Sequence, residues 1–141
     1  MLNFYPGYID AAAAAQARER FVALRPELEA LSKRYAGDLV GRLRAFRDFS
    51  RRHPAPTTSL DVLLDHFDHA IRVAGPDHVG LGADWDGVPS MPEGMEDVSR
   101  LPALTQGLLA RGHAPETVVK VLGSNLLRAL ADAEHVAERL R

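Results

Sequence analysis

His78-Val79-Gly80-Leu81-Gly82-Ala83-Asp84-Trp85-Asp86-Gly87-Val88-Pro89-Ser90-Met91-Pro92-Glu93-Gly94 is the stretch on which the reading of the fold turns. Its apolar run, Val79 to Ala83, is too short for a helix and glycine-rich enough to lie against neighbouring backbone, so it reads as a buried strand. The run ends abruptly in Asp84-Trp85-Asp86-Gly87, two carboxylates around an aromatic, and a loop punctuated by Pro89, Pro92 and Gly94 follows. A strand that runs out into acidic residues, then a loop and a helix, is how a (β/α) barrel presents catalytic groups at its C-terminal face.

Working outward, Gly75-Pro76-Asp77 is a turn that stops a preceding helix. That helix runs over 59–74, capped by Thr58 or Ser59 and helped by Asp61 in its first turn. Its apolar set is Leu60, Leu63, Leu64, Phe67, Ile71 and Val73. Residues 53–58, His-Pro-Ala-Pro-Thr-Thr, form a linker held extended by its prolines. Upstream lies a helical insertion, 11–52. Its first helix carries Phe21, Leu24, Leu28 and Leu31 as one stripe and is expected to break or restart at Pro26. Its second buries Leu39, Val40, Leu43, Phe46 and Phe49. Residues 1–5 read as a strand stopped by Pro6-Gly7, with Tyr8-Ile9-Asp10 continuing as loop. A chain that opens directly in an apolar strand looks cut, because a strand cannot stand alone. Beyond the loop 84–97, the C-terminal helices fill 98–140. Pro115 suits a first helical position, Ser124 caps the last helix, and Arg139 and Arg141 complement its dipole.

At 141 residues the chain is one domain's worth. A net charge of −2 gives no footprint for nucleic acid or an anionic membrane. With no cysteine, disulfides and thiolate metal sites are excluded. No apolar run approaches the roughly 20 residues that span a bilayer, and Met1 to Asp10 has neither the basic region nor the apolar core of a signal peptide. A cytoplasmic location is the resulting expectation. Abundant Ala and Arg beside only Lys33 and Lys120 suggest a GC-rich bacterial genome.

Among the residues that could carry chemistry, His66 and His69 are three apart on a helix beside Asp65 and Asp68, a tolerable metal-ligand spacing. The structural reading, polar positions on an otherwise apolar helix, is favoured. His53, His113 and His135 show no partner pattern, and His78 precedes the strand, the wrong end for a barrel active site. Asp84 differs by position. At the C-terminal end of a buried strand its carboxylate is placed to act as general acid or base, or to face a metal-bound water. A turn-forming aspartate is the alternative, and it suits Asp86-Gly87 better. Tyr8, just past the other strand, is placed to hydrogen-bond a substrate, although a lone tyrosine there more often wedges between helices. Trp85 lines a pocket or simply packs. Gly80, Gly82 and Gly87 make no dinucleotide fingerprint.

Asp65 to His69, Val73 to Val88, and Pro92 to Ser99 together resemble the C-terminal signature of the membrane (renal-type) dipeptidases, peptidase family M19. Asn3 to Tyr8 resembles the segment before that signature, and Gly123 to Arg128 the closing helix. The resemblance spans nearly the whole chain and is weakest over 11–58. It implies an α/β fold: the C-terminal fragment of a (β/α)8 TIM barrel of the metal-dependent amidohydrolase type, helix-rich with about two strands. It also implies a metallopeptidase in which two zinc ions bridge the water that attacks a dipeptide. Asp84 then matches the acidic residue at the end of the last strand, which contacts that water and the substrate's amino end and serves in proton transfer. Tyr8 matches a tyrosine lining the substrate site. His66 and His69 match no zinc ligand, since the family's ligands are a His-x-Asp near the N-terminus, a mid-chain Glu and two His after later strands, upstream positions to which nothing in this chain corresponds. Phe or Tyr is common at Trp85 and Gly or Ser at Ala83; neither departure touches Asp84.

Two expectations of function follow from the sequence. In the first, the chain is a truncated zinc dipeptidase, inactive alone for want of its metal ligands. In the second, it is a non-catalytic binding or assembly module that associates with the missing barrel portion or as a homo-oligomer.

Overall fold

The computed structural model describes residues 1–140; Arg141, expected to face the dipole of the last helix, lies outside them. The chain is helix-rich, with two short strands, β1 (Leu2–Asn3) and β2 (Leu81–Gly82), paired in parallel with Leu2 opposite Leu81 and Asn3 opposite Gly82. Both are shorter than the apolar runs that announce them. Gly80 still joins the pairing by accepting from the Leu2 amide at 2.8 Å.

Helix α1 (Pro6–Ile9) stands where a loop is expected. Pro6 occupies its first turn, where the missing N–H costs nothing. Helix α2 (Ala11–Arg34) follows at once, its N-terminus capped by Asp10, whose Oδ1 accepts from the amides of Ala12 (2.8 Å) and Ala13 (3.2 Å). Contrary to expectation, α2 runs through Pro26 without restarting. Pro26 and Val22 are both exposed, so the Val22 carbonyl that loses its partner is open to water, and the flanking Ala, Leu and Glu are strong helix formers.

Helix α3 (Leu39–Arg52) folds back on α2. Of the five residues expected to be buried on it, only Phe49 is; Leu39, Val40 and Leu43 are each about 60% exposed, and Phe46 is half-buried. The α2–α3 hairpin contributes nothing to the central core, so its apolar residues have little to pack against.

Helix α4 (Leu60–Ala74) is capped by Ser59 and buries Leu63, Leu64 and Phe67; Val73 points outward. It ends at Gly75, whose φ of +84° needs a residue without a Cβ. After β2 and the loop, Asp97 caps a single turn (Val98–Arg100) that leads into α5 (Leu101–Ala110). Helix α6 (Pro115–Val119) is followed by a widened turn, Lys120–Ser124, which is kinked at Gly123, where the backbone leaves helical geometry, before α7 (Asn125–Arg139). Ser124, just past that kink, has helical backbone angles and its side chain makes no capping hydrogen bond, in contrast to the sequence reading. What that junction does is turn Asn125 inward. The Asn125 side chain is buried and donates to the carbonyls of Pro76 (2.7 Å) and Val79 (2.8 Å), which ties α7 to the lead-in of β2.

The core brings together Phe4 from the first strand segment, Leu63 and Phe67 from α4, Met95 from the loop, Leu104 and Leu108 from α5, and Val121. Phe4 makes edge-to-face contacts with Phe67 at 6.1 Å and Trp85 at 5.9 Å. Outside it, an ion-pair cluster joins α4 to the end of α5. Arg111 reaches Asp65 and Asp68 at 2.6 Å each and Asp61 at 3.3 Å, while His113 pairs with Asp68 at 2.7 Å. His113 thus has the partner its sequence context did not disclose. Partial burial pushes the Asp68 carboxyl up, but hydrogen bonds from His113 and Arg111 outweigh this and hold it below the usual carboxylate value. Asp10 is lowered by its hydrogen bond from Thr58 and then by the amides it caps, and Asp77 by Lys120.

These three folded values lie below the unfolded one. Their contribution to stability is therefore complete above about pH 4 and is lost as pH falls through the folded values. The urea midpoint is expected to hold from pH 7 to pH 5 and fall below pH 4, with a shallower fall in Asp68→Asn. An identical acid profile in that variant would remove Asp68 from the account.

Candidate active site at the end of the second strand

The two strands carry Asn3 and Asp84 to the same end of the sheet. Asp84 is exposed and lies two residues past the Gly82 position of β2, with a backbone φ of +63°. Asp86, at φ +68°, also takes the left-handed conformation, which aspartate tolerates better than most residues. The Gly87 amide closes the turn by donating to the Asp84 carbonyl at 3.1 Å. A Cβ on Gly87 would lie 2.2 Å from Asp84 Oδ1, so the carboxylate occupies the space a side chain would need. Asn3 Nδ2 donates to Asp84 Oδ2 at 3.1 Å, and Asn3 Oδ1 accepts from the Tyr5 amide at 2.7 Å.

Behind the carboxylate the loop is anchored. Trp85 packs edge-on to Phe4, and its Nε1 donates to the carbonyl of buried Met95 at 3.0 Å. Thr57 Oγ1 donates to the Met91 carbonyl (2.5 Å), Ser90 Oγ to the Pro56 carbonyl (2.6 Å), and the Glu93 amide to the Thr58 carbonyl (2.8 Å). The proline-rich linker is therefore the brace of the loop that carries Asp84.

The other sequence candidates sit apart from this arrangement. Tyr8 is on α1, 73% exposed, with its ring edge-on to Tyr5 at 5.0 Å. A groove of about 410 Å³ beside it, lined by Tyr5, Gly7, Arg18 and Phe21 among others, does not include Asp84. His66 Nδ1 lies 3.2 Å from the Val62 carbonyl of its own helix, and His69 Nδ1 lies 3.0 Å from the Arg72 guanidinium. Among the described residues no three His, Cys, Asp or Glu side chains converge where they could hold a metal ion. The neighbours of Asp84 are an amide side chain and backbone. A two-zinc centre needs several anionic or imidazole donors and an open position for water, and this donor set does not fit it. Asn3 was missed in the sequence reading. Only the register of the two strands reveals it, since Asn3 and Asp84 are separated by 81 positions.

A mixed helical structure with an acidic residue projecting from a parallel strand end is compatible with part of a hydrolase domain. The sequence matches the membrane dipeptidase family, peptidase family M19, over residues 1–141, and the chain belongs to that family. It is 40% identical to dipeptidase aclJ of Aspergillus oryzae over 103 residues, 73% of this chain and 24% of that protein. An uncharacterized dipeptidase of Schizosaccharomyces pombe is 39% identical over 102 residues, 72% of this chain and 24% of the relative. Dipeptidase tcpJ of Claviceps purpurea is 42% identical over 79 residues, 56% and 19% respectively. The chain thus spans about a quarter of the length of the first two, and all three relatives are fungal. Among the described residues no helix is long and apolar enough to cross a membrane.

Proposed function

We propose that this chain is the Asp84-bearing end of a dipeptidase of the (β/α)8-barrel, zinc-dependent type, and that Asp84 is its proton-transfer group. The supporting observation is the placement of one exposed carboxylate at a parallel strand end, in a left-handed backbone conformation, braced by Asn3 and by Gly87. Backbone held in a sparsely populated region is more often met at functional sites than elsewhere. At such a position the carboxylate can accept a proton as water adds to a peptide carbonyl, return it to the departing amine, and attract the ammonium end of a dipeptide. Tyr8, exposed on α1, would lie on the substrate side. The zinc ions would be held by residues outside this chain, as would the groups that bind the substrate carboxylate.

The test is hydrolysis of a panel of dipeptides in the presence of zinc. The isolated chain is expected to give no turnover above the protein-free control. A chimera in which it replaces the matching quarter of an active dipeptidase of the family is expected to hydrolyse dipeptides. A chimera that folds and binds zinc yet leaves every dipeptide intact would overturn the proposal.

A second reading, a non-catalytic assembly module, draws on a separate observation. Leu39, Val40 and Leu43 on α3 and Leu127 and Leu140 are exposed, and β1 and β2 pair only with each other among the described residues. Unpaired strand edges and apolar faces are surfaces that other chains can cover. Concentration-dependent association in sedimentation velocity, with an inactive chimera, would favour this reading over the first.

A further inference from the structure

We propose that Asn3 is a positioning residue that sets the aim of the Asp84 carboxylate, an inference that rests on reading Asp84 as the proton-transfer group. Asn3 stands opposite Gly82 in the parallel register. The strand ends at Gly82, and the left-handed backbone of Asp84 turns its carboxylate to where Asn3 Nδ2 reaches it at 3.1 Å.

The Asn3 amide is itself oriented. Its oxygen accepts from the Tyr5 N–H, which leaves the nitrogen facing Asp84 Oδ2. The flipped amide would set an NH2 against the Tyr5 N–H and an oxygen against a carboxylate, so the backbone of Tyr5 decides which end meets Asp84. On the other side, the carboxylate lies over Gly87, where a Cβ would come within 2.2 Å of Oδ1. The backbone conformation, a donor on one oxygen and the close approach of the other to Gly87 together select a single orientation. Asn3 holds Oδ2, and Oδ1 is the oxygen without a side-chain donor among the described residues, which makes it the atom that exchanges the proton.

Asn3→Ser separates this role from a purely structural one. Its hydroxyl oxygen can still accept from the Tyr5 N–H, while it is too short to reach Asp84. Labelled protein would be studied by nuclear magnetic resonance, reading the Hα–Hβ couplings of Asp84 and the Asn3 side-chain amide protons against pH. The parent protein is expected to show one staggered Asp84 rotamer, with Asn3 protons that shift as the carboxylate titrates. That shift is expected to be lost in Asp84→Asn. In Asn3→Ser the Asp84 couplings are expected to collapse to averaged values with the urea midpoint retained. Should Asn3→Ser fail to fold, Asn3→Ala, which removes the donor without adding a charge, is expected to give the same averaging. A single Asp84 rotamer persisting in the folded variant, or parent Asn3 protons indifferent to pH, would overturn the proposal. None of these readouts needs turnover, so they stand or fall apart from the hydrolysis assay.

Discussion

Asp84→Asn, made in the chimera that hydrolyses dipeptides, is expected to lower kcat by about 10²–10⁴-fold, the usual worth of a positioned acid or base. Asparagine is close to isosteric, tolerates the left-handed backbone of this position, and keeps an oxygen to accept from Asn3. The folded state should therefore change by no more than about 0.5 kcal/mol, as expected for an exposed site. What asparagine cannot do is take up and return a proton near neutral pH. A variant with unchanged urea midpoint and little turnover is the expected result. Retention of most of the parent's kcat would show that the carboxylate is a turn former with no part in the chemistry.

Phe4→Ala carries the second large effect, on stability. Phe4 is fully buried and touches Phe67 on α4 and Trp85 on the loop, so one ring joins the first strand, the longest core helix and the site. Removing it takes away the transfer free energy of an aromatic side chain and leaves a cavity that residues from three separate segments cannot jointly close. Such truncations cost about 3–5 kcal/mol. Against a total stability of about 5–15 kcal/mol for an ordinary domain, most of the margin would go, with a large drop in urea midpoint. Val73→Ala, outward-facing on α4, is the control and should stay within about 0.5 kcal/mol. A loss below about 1 kcal/mol at Phe4 would mean that the ring is not held where the structure puts it.

Local chemistry made much of this fold legible. The spacing of Leu63, Leu64 and Phe67 marks the buried face of α4, Ser59 marks its start and Gly75 its end, and the Pro/Gly clusters mark the turns. Misreadings arose where a tertiary contact decides. Leu39, Val40 and Leu43 have the spacing of a buried stripe, yet periodicity cannot say whether anything lies opposite. Pro26 disfavours a helix interior, but an exposed turn lets water take the freed carbonyl. Ser124 has the chemistry of a cap, but just past the kink at Gly123 its backbone is already helical and its side chain caps nothing, while the neighbouring Asn125 is drawn inward to bond two carbonyls. At the site, Asp84 could be singled out because its position after an apolar run is visible in one dimension. Asn3 could not, because the register of a parallel pair is not written in either strand alone.

The hydrogen bond from Thr58 Oγ1 to Asp10 Oδ2, at 2.6 Å, joins residues 48 positions apart. It closes the neck of an excursion that comprises α2 and α3 and returns to where it left. Once the neck is shut, the length of what hangs from it matters little: doubling a flexible loop costs only about 0.6 kcal/mol in closure entropy. The central core draws no residue from the excursion, and only its last residues, Pro56 and Thr57, well past the two helices, reach the loop behind Asp84. The hairpin is therefore the part of this chain most open to insertion, deletion or exchange, and the Asp10–Thr58 bond separates variable architecture from the fixed geometry of Asp84.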